Sequence, residues 1–534
     1  MNLSHYPYAS KRMPVLADNG AVATSQPLAA QAGLKVLQNG GSAVDAAIAT
    51  AAALTVLEPT SNGIGSDAFA IVWDGKKLHG LNGSGRWPRA STAASLRDQG
   101  FDAVPERGWS SVSVPGAPAA WQDLHQRFGR LEIRALLEPA ITYAEAGFPV
   151  SPVIAHLWNE STSVFVVPNR PEFDGWRKTF APQGRTPQAG ERFFSPGHAW
   201  TLKILAERGI RDFYQGQVAE RITAYAKASG GELVADDLAL HQSEWVEPIS
   251  APYSDCRVWE IPPNGQGIAA LIALSILEEL DLHEHEHAGA SLWHLQIEAM
   301  KLAFADAYRY VADPSCADVP VKELLDSDYI ASRRALIGGE ARLPQAGRPP
   351  NGGTVYLCTA DRDGMMVSFI QSNYMGFGSG VVVPETGISL QNRGAGFTLE
   401  PGHRNEAAGG KRPRHTILPG FLTRNGAAVG PFGVMAGEMQ PQGHLQVVSS
   451  MLDHDLNPQA VLDAPRWRIG DGLHVNLEPG ADPEVVAGLE ARGHRVTVAP
   501  NAFTFGRGQI IERRENGVYV AASEPRADGA AVGY

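Results

Sequence analysis

The spacing of hydrophobic residues divides the chain into a helix-rich first part and a strand-rich last part. "AVATS", from Ala21, reads as a strand, and Ala30, Leu34 and Leu37 then recur at helical spacing from Gln26 until "NGG" at Asn39 to Gly41 ends the run. The next stretch, "SAVDAAIATAAALTVLEPT", is small and apolar on nearly every side, which predicts a helix buried between layers that stops before Pro59. Two strands follow around an Asp74-Gly75 turn, with Arg86 just beyond the second. Helical periodicity returns from Pro115 to Gly147, and amphipathic helices between Pro and Gly turns are expected over Leu205 to Leu238 and Gly267 to Asp306.

The pattern breaks at "GGEARLPQAGRPPNGG", Gly338 to Gly353, which has no apolar periodicity and is the best linker in the chain. This places the main boundary between 1–353 and 354–534. Beyond it come the strand-like "TVYLCTA", the turn "DRDG", then "MMVSFIQS", "GVVVP" and "GISLQN". Later segments are "HTILPGFLTRNGAAVGPFG", a helix from Gln442 to Leu452 and further strands to "GVYVAAS". The order predicts a layered α+β fold.

At 534 residues the chain is long enough for two domains or one large layered fold, and with 44% hydrophobic and 19% charged residues it can bury a substantial core. The net charge of −12, with no basic run, argues against nucleic acid or an anionic membrane surface as partner and fits a small molecule. Cys256, Cys316 and Cys358 are too far apart for a disulfide framework or zinc site and read as reduced core residues. No apolar stretch approaches the roughly 18 residues of a membrane span, and the N-terminus lacks a secretory signal, so a cytoplasmic protein is expected.

Candidate chemistry gathers at "NGGTVYLCTA". Gly352 and Gly353 open the backbone to conformations in which the hydroxyl of Thr354 can attack the Gly353 carbonyl. Cleavage there would leave Thr354 with a free α-amine beside its own hydroxyl, a base and a nucleophile in one residue. If "DRDG" is a hairpin loop, Thr354 lies opposite roughly Gln371 or Ser372, and Ser372 is within reach of the nucleophile. Gly-Gly-Thr is also an ordinary loop-to-strand junction, so the local pattern alone leaves both readings open.

Other motifs weigh less. "LHEHEHAG" contains HExxH through His283, Glu284 and His287, but it falls in an inter-helix loop where zinc chemistry needs a helix. "SNGIGSDAF" and "GFGSG" lack the lysine and the strand-to-helix context of a phosphate cradle. Trp293, Phe304 and Tyr308 fall at helical spacing, as core residues do.

Blocks along nearly the whole chain carry a family resemblance. They are "SQPLAAQAGLKVLQNGGSAVDAAIATAAALTVLEPTSNGIG", "SVPGAPAAW", "EPAITYAEAGFPVS", "IPPNGQG", "EAMKLAFADAYRYVADP", "DGMMVSFIQSNYMGFGSGVVVPETGISLQN" and "DAPRW". In these the chain resembles the γ-glutamyltransferase family, N-terminal nucleophile hydrolases built as αββα sandwiches and matured by autocleavage before a threonine. The resemblance implies a four-layer fold of two interlocked subunits from one precursor, with room for a homodimer, and no metal or organic cofactor. Thr354 matches the nucleophile and Ser372 the second hydroxyl that contacts it. Arg86 matches the arginine that binds the substrate α-carboxylate, although an ordinary surface ion pair is the competing reading. His415 and Thr416 stand at the paired serines that hold the same carboxylate, and Ala436 and Gly437 at the oxyanion-hole glycine pair, where backbone N–H groups act.

Departures cluster where substrates are chosen. "LQNRGAGF" puts Arg393 and Gly396 where an amide and an aspartate are expected, and Tyr374 replaces an asparagine, so contacts to a γ-glutamyl amine are lost. Thr398 to Gly410 is short compared with the family's lid segment, which implies an open pocket and favours hydrolysis over transfer. Cleavage of a γ-glutamyl or similar acyl amide is the expected activity. The alternatives are an acylase for a non-glutamyl carboxy-acyl group, of glutaryl-cephalosporin type, or a catalytically impaired ligand-binding member.

Overall fold

A computed structural model describes residues 12–168, 170–343 and 353–534. Two antiparallel seven-stranded sheets lie face to face. One runs, edge to edge, through Val15–Ala17, Tyr519–Ser523, Arg507–Arg513, Ala427–Met435, Gly420–Arg424, Cys256–Glu260 and Ile249–Tyr253; the other through Ala530–Gly533, Gly20–Thr24, Gly353–Asp361, Met366–Tyr374, Asp67–Trp73, Leu78–Gly83 and Glu244–Val246. Each sheet contains strands from both sides of residue 353, so the two parts of the chain share one body.

Side-chain alternation sorts the core into three layers. Along Gly353–Asp361, Tyr356 and Cys358 enter the layer between the sheets with Phe69, Ile370, Phe421 and Ile511. Val355 and Leu357 point the other way, onto the helices Pro27–Gln38 and Ala43–Leu57. The opposite outer face, with Val258, Val434 and Ile510, packs on the helices Gly267–Leu277, Ala290–Tyr310 and Met439–Leu452. The result is helix, sheet, sheet, helix. Helix Ala43–Leu57 is buried at every position, and its start is fixed by a capping box between Ser42 and Asp45.

Several expectations need correction. "GVVVP" and "GISLQN" are not strands. They join through an isolated bridge, Val382 to Ser389, and their apolar side chains pack with Phe165, Trp176 and Phe377, so an apolar run here marks a buried loop. Helix Gly267–Leu277 is buried all round rather than amphipathic. Cys316 is exposed, whereas Cys256 and Cys358 are buried. Leu282–Glu284 in the HExxH segment forms only a 3₁₀ turn, and His287 meets the Ser450 hydroxyl at 3.1 Å. Of the expected linker, 344–352 lies outside the described residues. Among the described residues no helix is long and apolar enough to cross a membrane.

Candidate active site

Strand Gly353–Asp361 pairs with Met366–Tyr374 around the Asp361 to Gly364 turn, with Val355 opposite Gln371 and a bulge between Gly353 and Val355. The bulge turns the Thr354 side chain onto the next strand, where its hydroxyl donates to Ser372 Oγ at 3.1 Å. Ser372 Oγ also accepts the Tyr374 backbone N–H at 2.8 Å, so its position is held from two directions. The Gln440 side-chain amide donates to Thr354 Oγ1 at 3.4 Å while its own oxygen accepts the Leu418 N–H at 2.8 Å. Thr354 and Ser372 have no exposed surface.

Gln440 lies in the first turn of helix Met439–Leu452, and just before that helix Ala436 and Gly437 take positive φ, 121° and 51°. The Ala436 carbonyl accepts the Met439 N–H at 2.9 Å, which turns the Gly437 N–H of the same trans peptide the opposite way. The Gly437 carbonyl is held by Gln440 N–H at 3.2 Å and Gln266 Nε2 at 3.3 Å. With both carbonyls engaged inward beside a helix N-terminus, this turn suits negative charge.

A second wall carries the departures from the family pattern. Tyr374 has φ 79°, outside the usual region for a side-chain-bearing residue, and its buried hydroxyl has no partner among the described residues. Its ring lies under Arg393, with the guanidinium carbon 4.6 Å from the centroid. Arg393 is 1% exposed and gives Nη1 to Thr416 Oγ1 at 2.7 Å, while Nε and Nη2 have no hydrogen-bond partner among the described residues. Burial lowers its pKa to about 10, so it stays charged at neutral pH.

His415 faces Asp67 across 3.1 Å, and both are fully buried. Burial and the neighbouring Arg393, Arg414 and Arg412 push His415 well below the usual imidazole range, and burial raises Asp67 to about 7. Gly396 closes the 3₁₀ turn Arg393–Gly396, where a Cβ would come within 2.9 Å of the Arg414 carbonyl. An aspartate cannot be accommodated there without backbone movement.

Arg86 follows Gly85, whose N–H donates to Asp67 Oδ1 at 3.1 Å, but its own side chain meets other groups. Its Nη1 meets Asp313 Oδ2 at 3.0 Å, the Gly410 carbonyl at 3.0 Å and Ser315 Oγ at 3.3 Å, and it lines a cavity of about 310 Å³ that includes none of Thr354, Ser372, Ala436 or Gly437. Thr354, Tyr374 and Arg393 are all buried.

Sequence reading missed Gln440, Asp67 and Gln266. Each left a faint signal. Gln440 follows the oxyanion-type turn by one helical step, Asp67 opens an otherwise apolar strand, and Gln266 sits in the quoted "IPPNGQG" block.

Residues 29–534 match the family described as gamma-glutamyltranspeptidase. The glutathione hydrolase-like YwrD proenzyme of Bacillus subtilis is 36% identical over 97% of this chain and 99% of its own length. The oxamate amidohydrolase proenzyme of Klebsiella pneumoniae is 33% identical over 97% of this chain and 98% of its own. The crystal structure of cephalosporin acylase from Bacillus halodurans has a TM-score of 0.96 at 52% identity, covering 100% of this chain and 99% of that one.

Proposed function

Because the chain belongs to the gamma-glutamyltranspeptidase family, we propose that it is a self-cleaving amidohydrolase. Thr354 is its N-terminal nucleophile, and its substrate is an amide whose acyl group carries a carboxylate and no adjacent amine. The observation that carries the substrate reading is Arg393, a buried cation with two N–H groups that have no partner among the described residues, beside the Thr416 hydroxyl. The unfilled requirement of Gly396 for a glutamate-recognising acid points the same way. A γ-glutamyl amide, the activity first expected from the family resemblance, is the competing substrate.

In the precursor, the Thr354 hydroxyl attacks the Gly353 carbonyl, the peptide nitrogen leaves as the α-amine, and water hydrolyses the resulting ester to free a chain beginning at Thr354. Ser372 and Gln440 hold the hydroxyl in place. In the mature enzyme the α-amine takes the hydroxyl proton as the oxygen attacks the substrate carbonyl, and the Ala436 and Gly437 N–H groups receive the oxyanion. The proton then passes to the departing amine. Water attacks the acyl ester, and the acid product leaves with Arg393, His415 and Thr416 having held its remote carboxylate. Relatives described as a hydrolase-like proenzyme, an amidohydrolase and an acylase support water as the usual acceptor.

The test is intact mass and denaturing gel analysis of wild type beside Thr354→Ala, followed by rates on glutaryl and γ-glutamyl 4-nitroanilides. Two fragments in the wild type, one beginning at Thr354, and a single chain in the variant are the expected result. A single inactive wild-type chain overturns the mechanism and returns the protein to a ligand-binding role. Faster turnover of the γ-glutamyl anilide overturns the substrate reading alone.

A further inference from the structure

The turn that carries Ala436 and Gly437 is followed at once by an acid. Glu438 stands at the start of helix Met439–Leu452, makes no capping bond with its side chain, and is buried. A carboxylate so close to the N–H groups that would receive an oxyanion repels the charge forming there, the more so where water is excluded. The turn can serve an oxyanion only if the charge of Glu438 is answered.

Arg414 meets that requirement and does more. Its Nη2 donates to Glu438 Oε1 at 2.7 Å, and both side chains are buried. The other arm of the same guanidinium, Nη1, donates to Gln266 Oε1 at 2.9 Å. Gln266 in turn gives Nε2 to the carbonyls of Thr416, at 3.1 Å, and Gly437, at 3.3 Å. A rigid planar fork thus grips Gly437 from both sides, through Gln266 at its carbonyl and through the acid that follows it. The fork is itself anchored. The Arg414 N–H donates to Asn405 Oδ1 at 2.9 Å, the Gln266 N–H to the His415 carbonyl at 3.0 Å, and the guanidinium carbon lies 4.5 Å from the centre of the Tyr308 ring. Gln266 and Tyr308 precede residue 353 while Arg414, Gly437 and Glu438 follow it, so the clamp joins the two parts of the chain.

We infer that Arg414 is a positioning residue for the oxyanion-type turn, fixing the Gly437 peptide through Gln266 and neutralising Glu438 beside it. The inference rests on the proposed Thr354 mechanism and adds to it a group that acts without being assigned any contact with substrate. Because Arg414 serves only the N–H groups that meet charge developing in the transition state, its loss lowers kcat and leaves substrate binding alone. Arg393 and Arg468 also feel the Glu438 charge, so that charge stays partly answered without Arg414 and the loss is bounded.

Four proteins test it: wild type, Arg414→Met, Arg414→Lys, and Arg414→Met combined with Glu438→Gln. Each is given whichever of the glutaryl and γ-glutamyl 4-nitroanilides the wild type turns over faster, and rates are expressed per cleaved chain. Arg414→Met should lose about 10- to 100-fold in kcat, short of the roughly 10²- to 10³-fold cost of deleting an oxyanion donor, with KM within about twofold of wild type. Removing the acid as well should restore about tenfold of that kcat, because the unanswered buried charge goes with it. A protein merely weakened by lost packing would not be helped by a second loss. Arg414→Lys keeps the charge but not the fork, so its kcat should fall between wild type and Arg414→Met. Where Arg414→Met does not mature, Arg414→Lys is read against wild type, and a kcat equal to wild type overturns the assignment. Unchanged kcat in Arg414→Met, a raised KM with kcat kept, or a double variant no faster than the single one overturns it too, while the amidohydrolase reading stands. Hydrolysis of neither anilide by the cleaved wild type overturns both.

Discussion

The strand pair bearing Thr354 and Ser372 and the wall bearing Tyr374, Arg393 and His415 are neighbours, yet they are finished to different degrees. The first is neutral and closed: each hydroxyl has its partner, and Gln440 ties the nucleophile to the oxyanion-type turn. The second is charged and open-ended: Arg393 and Tyr374 keep buried polar atoms without partners among the described residues. Such atoms are costly to bury, so a wall that keeps them is arranged for something that arrives later. On the proposed mechanism, the reacting half is complete in the free protein and the recognising half is completed by its ligand.

The largest break in that contrast is Thr354→Ala, which removes the closed half's only reacting atom. The variant should remain a single chain of about the full 57.1 kDa by mass spectrometry and lose about three orders of magnitude or more in anilide hydrolysis. Fragmentation at Gly353 in this variant would move the nucleophile elsewhere.

Arg393→Gln tests the open half. It restores the amide that the family pattern places there and removes the buried charge. A loss of about 10- to 100-fold in kcat/KM on glutaryl anilide is expected, with a smaller loss on the γ-glutamyl anilide and maturation intact. Equal losses on both anilides would make Arg393 a packing residue beneath Tyr374.

The same contrast explains how much the chain revealed before its structure was known. Thr354, Ser372 and the hairpin between them follow from local rules, a flexible Gly-Gly step and a register counted from the Asp361 to Gly364 turn. The layered α+β character is legible in the order of strand and helix patterns and in the all-round apolar helix at Ala43–Leu57, whereas the number of layers came only with the family resemblance. The groups that Arg86 meets, Asp313, Ser315 and Gly410, lie more than 200 residues away in sequence and could not be anticipated from it. Asp67 and His415 likewise meet across 348 positions, and no periodicity encodes such a pairing. "GVVVP" misled for the opposite reason: apolarity reports burial, and a loop under aromatic rings is as buried as a strand.

Gly396→Asp asks whether recognition can be restored by chemistry alone. The added Cβ meets the Arg414 carbonyl at 2.9 Å, so the substitution should cost about 1–3 kcal/mol and lower the melting temperature without creating γ-glutamyl preference. A stable variant that gains that preference would show the turn to be more yielding than its packing implies.

The smallest effect decides whether Arg393 is free to meet a carboxylate at all. Asp67 accepts the Gly85 and Gly116 N–H groups at 3.1 Å each, and burial raises its carboxyl to about 7 from an ordinary 3.8, against the opposing pull of Arg393. Between those values the folded protein keeps a proton that the unfolded chain has lost. The stability this gives is complete below about pH 4 and is lost as pH rises through about 7. Asp67→Asn cannot ionise, retains an oxygen for both glycine N–H groups and offers an N–H to His415, so it should be spared this decline. The melting temperature of the variant relative to wild type should rise by about 2–4 °C between pH 4.5 and pH 8, followed by calorimetry or fluorescence. A difference that stays constant across that range would mean that Asp67 is ionised throughout. Arg393 would then already own a counter-ion, and the carboxylate of the substrate would have to be held by Thr416 and His415 alone.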